Sequence, residues 1–309
     1  NGSIINESGI NGNEPPTFTP GCPTYDSQSD VIYAAHGNRI FKYNANDFSD
    51  YTSFGGAINS LQPYDEIVFI NNRLFAVRTD NTGSMYDEIT LYELDKNNGS
   101  VLNTRAWTIW YGTNGGGITF SSATNELFIV MGNNLSKYNI VTQELNVFNL
   151  LGLDLGTYYP GVIYAQNRLF VRKKDFIDNQ VNNYIVEINK DTGAIIATNL
   201  LNPAIANYYY PRSQLAFLAQ TNEIACLYYG SPSLTNENII VKYNIDTHTD
   251  SIINLPSENT TATRTEDYRS LVSVDSEERL DVSQFQQNQE NFKIKSVYNM
   301  LGQQVPLET

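Results

Sequence analysis

The chain has 309 residues and a formal charge of −14, which repels nucleic-acid phosphates and anionic lipid and so argues against both as partners. Its 41% apolar residues are enough for a buried core, and its 21 Tyr and 14 Phe favour half-buried pleated strands. No apolar run reaches membrane-spanning length, so no membrane span is expected.

Residues 1–25 are polar and rich in Asn, Gly and Pro, and read as a mature N-terminal linker. The two cysteines, Cys22 and Cys226, leave two outcomes open: a single bridge joining the ends of the folded chain, or a buried free thiol at Cys226, whose strand is apolar. No metal is expected, because His36 and His248 lie far apart without ligand spacing around them.

From residue 26 onward a strand-turn phrase is written repeatedly: Lys42-Tyr43-Asn44, Lys137-Tyr138-Asn139 and Lys242-Tyr243-Asn244, with looser copies around Tyr92 and Val186. A recurrence of roughly 50 residues with strands and no helical stretch marks a repeat architecture. Each repeat resolves into four apolar runs, A to D; in the second these are 67–70, 74–77, 89–94 and 101–107, separated by turn residues. Four antiparallel strands per unit predict a β-propeller over residues 26–276 with five four-stranded blades, six being the alternative. The first repeat lacks an apolar strand A, and Tyr268-Arg269-Ser270-Leu271 resembles the start of the fifth repeat, so a strand near 270–275 is expected to close the ring.

The turn phrases Asp95-Lys96-Asn97-Asn98-Gly99 and Asn189-Lys190-Asp191-Thr192-Gly193 resemble those of kelch-like and quinoprotein-like propeller repeats. The tryptophan usual in quinoprotein repeats is absent, so no quinone, and no other cofactor, is implied. The first phrase also resembles a calcium loop faintly, but Gly99 comes one position early and Ala106 stands where the closing Glu belongs.

Residues 277–309 read as a separate, partial C-terminal β segment. The stretch FKIKSVYNMLGQQV is similar to the C-terminal sorting domain of cargo proteins of the Bacteroidetes type IX secretion system. That resemblance rests on Val297, Tyr298, Asn299, Leu301, Gly302 and Val305. It implies export, recognition by the secretion translocon, and an extracellular or outer cell-surface location. The Asn-Pro that often opens such domains is missing, and the last strands are absent before Thr309. The alternative is a sixth blade, since Val297-Tyr298-Asn299 echoes the strand C phrase.

Function is expected on one face of the ring. The B to C connections 78–88, 173–183 and 229–238 read as long loops, and the D to A connections are long as well. Tyr64, Trp110, Tyr111, Tyr159, Tyr209, Tyr210 and Tyr268 precede strand A positions, with Arg212 and Arg269 beside them. Flat rings with polar tips at a channel mouth suit a glycan or a protein partner; the competing reading is packing between blades. A glycosidase on the same scaffold is the alternative, with Asp65, Glu66, Asp154, Asp175 and Asp267 eligible by position only, and no catalytic residue is assigned.

Overall fold

The computed structural model describes residues 23–36, 39–44, 52–54, 64–81, 86–110, 116–150, 161–177, 180–207, 210–211, 215–229, 239–254, 297–298 and 304–305. Five antiparallel sheets follow one another around an axis as a five-bladed β-propeller. Blade 1 contains β1 (Thr24–Asp26), β2 (Val31–His36), β3 (Arg39–Asn44) and β4 (Thr52–Phe54); blade 2 contains β5 (Glu66–Ile70), β6 (Arg73–Asn81), β7 (Tyr86–Leu94) and β8 (Val101–Trp110). Blade 3 contains β9 (Gly116–Ser121), β10 (Glu126–Met131), β11 (Asn134–Asn139) and β12 (Leu145–Asn149); blade 4 contains β13 (Val162–Ala165), β14 (Arg168–Ile177), β15 (Gln180–Ile188) and β16 (Ile195–Leu200). In blade 5 the first strand is split into β17 (Tyr210–Pro211) and β18 (Ala216–Leu218), followed by β19 (Glu223–Tyr229), β20 (Ile239–Asn244) and β21 (Asp250–Asn254). Among the described residues there is no α-helix, and a 3-10 turn, Pro203–Asn207, connects blades 4 and 5.

Burial explains the strand patterns. The inner strands are apolar on both faces, as in β5 and β10, because a blade is covered by a neighbour on each side. The outer strands, such as β12 and β16, stay largely exposed. Distinct apolar clusters fill the seams between blades 1 and 2, 2 and 3, 3 and 4, and 4 and 5.

The expectation that blade 1 lacks its first strand is corrected. β1 fills that place, pairing with β2 through Tyr25 and Ile32. It carries no apolar run because it is held by polar contacts instead. Thr24 Oγ1 accepts the Phe69 N–H of blade 2 at 2.9 Å, and the buried Asp26 carboxylate accepts from Lys96 Nζ at 3.0 Å and from the Ser29 hydroxyl. Burial pushes the Asp26 carboxyl up, but the hydrogen bonds from Ser29, Lys96 and Gln28 outweigh it and leave it below the ordinary range. Residues 270–275 lie outside the described residues.

The blades alternate in kind. In blades 2 and 4 the A to B turns are Asn71-Asn72 and Gln166-Asn167, all four residues at positive φ. In blades 1, 3 and 5 a longer turn ends in one such residue, Asp30, Asn125 or Asn222. Arg73 binds Glu93 through Nε at 2.7 Å and Nη2 at 2.8 Å, and its Nη1 reaches the Ile140 carbonyl of blade 3 at 3.0 Å. Arg168 repeats this on Glu187 at 2.9 and 2.7 Å, reaching the Ile245 carbonyl of blade 5 at 3.1 Å. Blades 3 and 5 instead pair Lys137 with Glu126 and Lys242 with Glu223. Blades 2 with 3 and 4 with 5 are therefore two copies of one two-blade unit, each tied by the same forked arginine.

At the C-terminus Val297–Tyr298 pairs antiparallel with Gln304–Val305 in a two-stranded sheet of its own. The propeller has five blades, so the six-blade alternative falls.

Candidate functional site

The face carrying the B to C connections differs from the expected set of long loops, and two of the three expected loops are corrected to raised hairpins. The β6–β7 ladder continues to Asn81 opposite Asp87, and the β14–β15 ladder to Ile177 opposite Gln180. Only 82–85 and 178–179 separate those strands. Blade 3 turns earlier, at Gly132 with φ +52 followed by Asn133. Hairpins about three residues longer per strand stand roughly 10 Å above it. Their polar residues made them read as loops, yet their backbone groups are paired to each other. Of the third expected loop, 229–238, Tyr229 ends β19 and the rest lies outside the described residues.

Ion pairs and stacked rings brace the hairpins. Arg78 Nη2 binds Asp80 Oδ2 at 2.6 Å with its guanidinium over the Tyr92 ring. In blade 4 Lys173 binds Asp175 at 2.8 Å with its ammonium over the Tyr184 ring.

The structure divides the expected site residues. Tyr64 is buried in the seam between blades 1 and 2, edge-on to Tyr92 at 5.9 Å, and burial and Tyr92 push its hydroxyl up to about 12. It is a wall residue, which is the packing reading. Trp110 closes β8 opposite Tyr86, and Tyr210 opens β17 opposite Tyr229, so both pairs sit at the end of their blades that carries the B to C connection. Tyr86 is exposed, and neither it nor Tyr229 was singled out in the sequence, although strand register places both beside residues that were. Tyr111, Tyr159, Tyr209, Arg212, Tyr268 and Arg269 lie outside the described residues, as do Asn299, Leu301 and Gly302.

Two carboxylates at this end, Asp65 and Asp175, are held by the protein itself, and Asp87 differs from them. Asp65 Oδ2 accepts the Thr79 N–H at 2.6 Å; burial pushes its carboxyl up to about 6, the Thr79 bonds oppose this, and Asp80 adds to it. Asp87 has a buried Oδ1 without a hydrogen-bond partner, and burial pushes its carboxyl up. Glu66 is buried, Asp175 is bound to Lys173, and Asp154 and Asp267 lie outside the described residues. Among the described residues no group of three His, Cys, Asp or Glu is placed to hold a metal. Asp95 Oδ1 accepts the Asn97 N–H at 2.7 Å, an ordinary turn bond. His248 is engaged locally, its Nδ1 lying 2.7 Å from the Tyr243 hydroxyl.

Cys226 is a buried free thiol, so the bridge to Cys22 is not formed, and it accepts a hydrogen bond from Arg172 Nη1 at 2.7 Å. Sequence reasoning passed over this neighbourhood because Arg172 bordered the expected loop 173–183, Lys174 lay within it, and Cys226 sat in an apolar strand.

This geometry defines the chain as a five-bladed β-propeller. No family model matches it, and no curated protein matches its sequence. Similar solved structures include the extracellular domain of the putative one component system BT4673 from B. thetaiotaomicron, with a TM-score of 0.51 and 13% identity over 78% of this chain. The chain spans only 28% of that protein's chain. U3-55K has a TM-score of 0.53 and 9% identity, covering 87% of both chains. A chain of the nidogen/laminin complex has a TM-score of 0.50 and 14% identity over 79% of this chain and 81% of its own. At these identities the likeness is one of fold.

Proposed function

We propose that this propeller is a secreted or cell-surface binding module that holds a glycan or a protein partner on its raised-hairpin face. The observation that carries the reading is the pairing of aromatic strand ends there, Tyr86 with Trp110 and Tyr210 with Tyr229. Aromatic planes on a rigid scaffold offer contact area at low entropy cost. Of the carboxylates that the sequence made eligible there, Asp65 and Asp175 are engaged within the protein, which favours binding over hydrolysis. The BT4673 structure, an extracellular domain of the same fold, is in keeping with a location outside the cell.

Replacing Tyr209 and Tyr210 by Ala is expected to weaken retention on a glycan array about tenfold, equivalent to ~1.4 kcal/mol, with thermal unfolding nearly unchanged. Unaltered retention would remove the aromatic-rim reading. Hydrolysis of a retained glycan, lost in Asp65→Asn, would replace it with the glycosidase alternative.

The C-terminal segment is the proposed address for the type IX translocon. Its strands Val297–Tyr298 and Gln304–Val305 form a hairpin apart from the blades, in keeping with a separate signal. Deleting residues 277–309 is expected to hold the protein in the periplasm of a type IX-competent host, as read by protease accessibility on whole cells. Surface exposure at the undeleted level would sink this part of the proposal.

A further inference from the structure

The two-blade repeat supplies an internal control. In blade 4 the fourth strand, β16, has six residues and stops at Leu200. The chain then donates the Leu201 N–H to the Asn183 carbonyl at 2.8 Å and turns through Pro203–Asn207, which lies against β15 and sends Ile205 into the seam cluster. The raised part of that blade's outer edge is covered. In blade 2, by contrast, β8 runs ten residues beside β7 until Trp110 stands opposite Tyr86.

The other outer strands are guarded against pairing with another chain. Among the described residues the fourth strands of blades 1, 3 and 5 have three to five residues, and β21 opens with Asp250. β8 lacks these guards: from Val101 to Trp110 it has no Pro, no Lys and no acidic residue, and Arg105 is its only charge. Its ladder to β7 is unbroken beyond the register shift at Glu93 and Leu94. The side chains of residues 101–106 and 108 are exposed, and among the described residues β7 is the only strand paired with β8. The edge away from β7 thus offers a row of backbone donors and acceptors.

We infer that two copies of this chain associate through this edge, β8 against β8, as an antiparallel pair about a twofold axis. Charge points to a second copy as the occupant: at −14 the copies repel one another over most of their surface, yet residues 97–125 contain no Asp or Glu. Symmetry then selects the register. Residues opposite each other in an antiparallel pair share a face, so the axis passes between one residue and its own copy. An axis at Arg105 would oppose two guanidiniums. An axis at Ala106 sets Arg105 opposite Trp107 of the partner subunit and Thr104 opposite Thr108 of the partner subunit, a favourable cross-strand pair, in a ladder from Leu102 to Trp110. A strip about 30 Å long is at the small end of specific interfaces, so the dimer is reversible, with a dissociation constant on the order of 1–100 μM. The contact lies on the outer edge of blade 2 and goes beyond the reading of the raised face.

The test is sedimentation of the full chain between micromolar and millimolar concentration, over which the natural chain is expected to pass from monomer to dimer. Ala106 is exposed, so its variants should fold. Ala106→Lys opposes two ammoniums across the axis and should raise the dissociation constant about fivefold or more; an equal mixture with Ala106→Glu should restore dimers. With Cys22 replaced by Ser, oxidation should link Ala106→Cys into a covalent dimer and leave Thr104→Cys monomeric, because Thr104 does not face its own copy in this register. A natural chain that stays monomeric throughout would overturn the proposal and leave the edge to a strand of another protein. Dimers indifferent to Ala106→Lys would overturn it too, by placing the contact elsewhere, and equal cross-linking of both cysteine variants would overturn the register.

Discussion

Phe170→Ala is expected to lower the unfolding free energy by about 3–5 kcal/mol. Phe170 is buried in the seam between blades 4 and 5, packed with Ile185, Ile224 and Val241 under the Arg168 guanidinium, whose carbon lies 4.9 Å from the ring centroid. Truncation removes the buried ring and leaves a cavity that cannot collapse readily, because Arg168 is held by Glu187 and by the Ile245 carbonyl. It also removes the surface beneath the arginine that ties the two blades. Phe75, at the matching position under Arg73, should behave alike. Urea unfolding of both variants checks this; a loss below about 1 kcal/mol in each would show that the seams reclose and are not the source of rigidity.

The second large effect concerns pH. The folded Asp65 carboxyl is pushed up to about 6 by burial, from an ordinary aspartate value near 4. Between those values the folded chain keeps a proton that the unfolded chain has released. Its contribution is therefore greatest below about pH 4 and is lost as pH rises through about 6. Two pH units correspond to about 3 kcal/mol, and partial exposure of the residue reduces this to the order of 2 kcal/mol. Asp65→Asn keeps an oxygen for the Thr79 N–H and removes the titration. Its stability should change less between pH 4 and 7 than that of the natural chain, and should exceed it at pH 7. Denaturant midpoints at four pH values decide the matter, and parallel curves would refute it.

These effects arise where sequence patterns and assembly meet. Lys-Tyr-Asn phrases, Asn-rich turns and short apolar runs are local signals, because strand alternation and left-handed turn residues act within a few positions of the chain. The alternation of blade kinds was present too: Asn-Arg-Leu-Phe occurs at 72 and 167, while Lys-Tyr-Asn marks blades 1, 3 and 5. Treating all five repeats as equivalent concealed it.

What the sequence by itself determined is the all-β repeat, its count and the positions of most strands, since each depends on neighbours close along the chain. Only the tertiary structure decided that Thr24–Asp26 completes blade 1, that two polar stretches rise as hairpins, and that Tyr64 packs inside a wall. It alone decided that Arg172, Lys174, Asn183 and Tyr228 share one seam. In three of the four the reason is hydrogen bonding or packing with a strand or blade distant in sequence, which leaves no periodic mark on the residues that enter it; the hairpins pair across short turns, but their polar residues lack the apolar alternation that marks a strand.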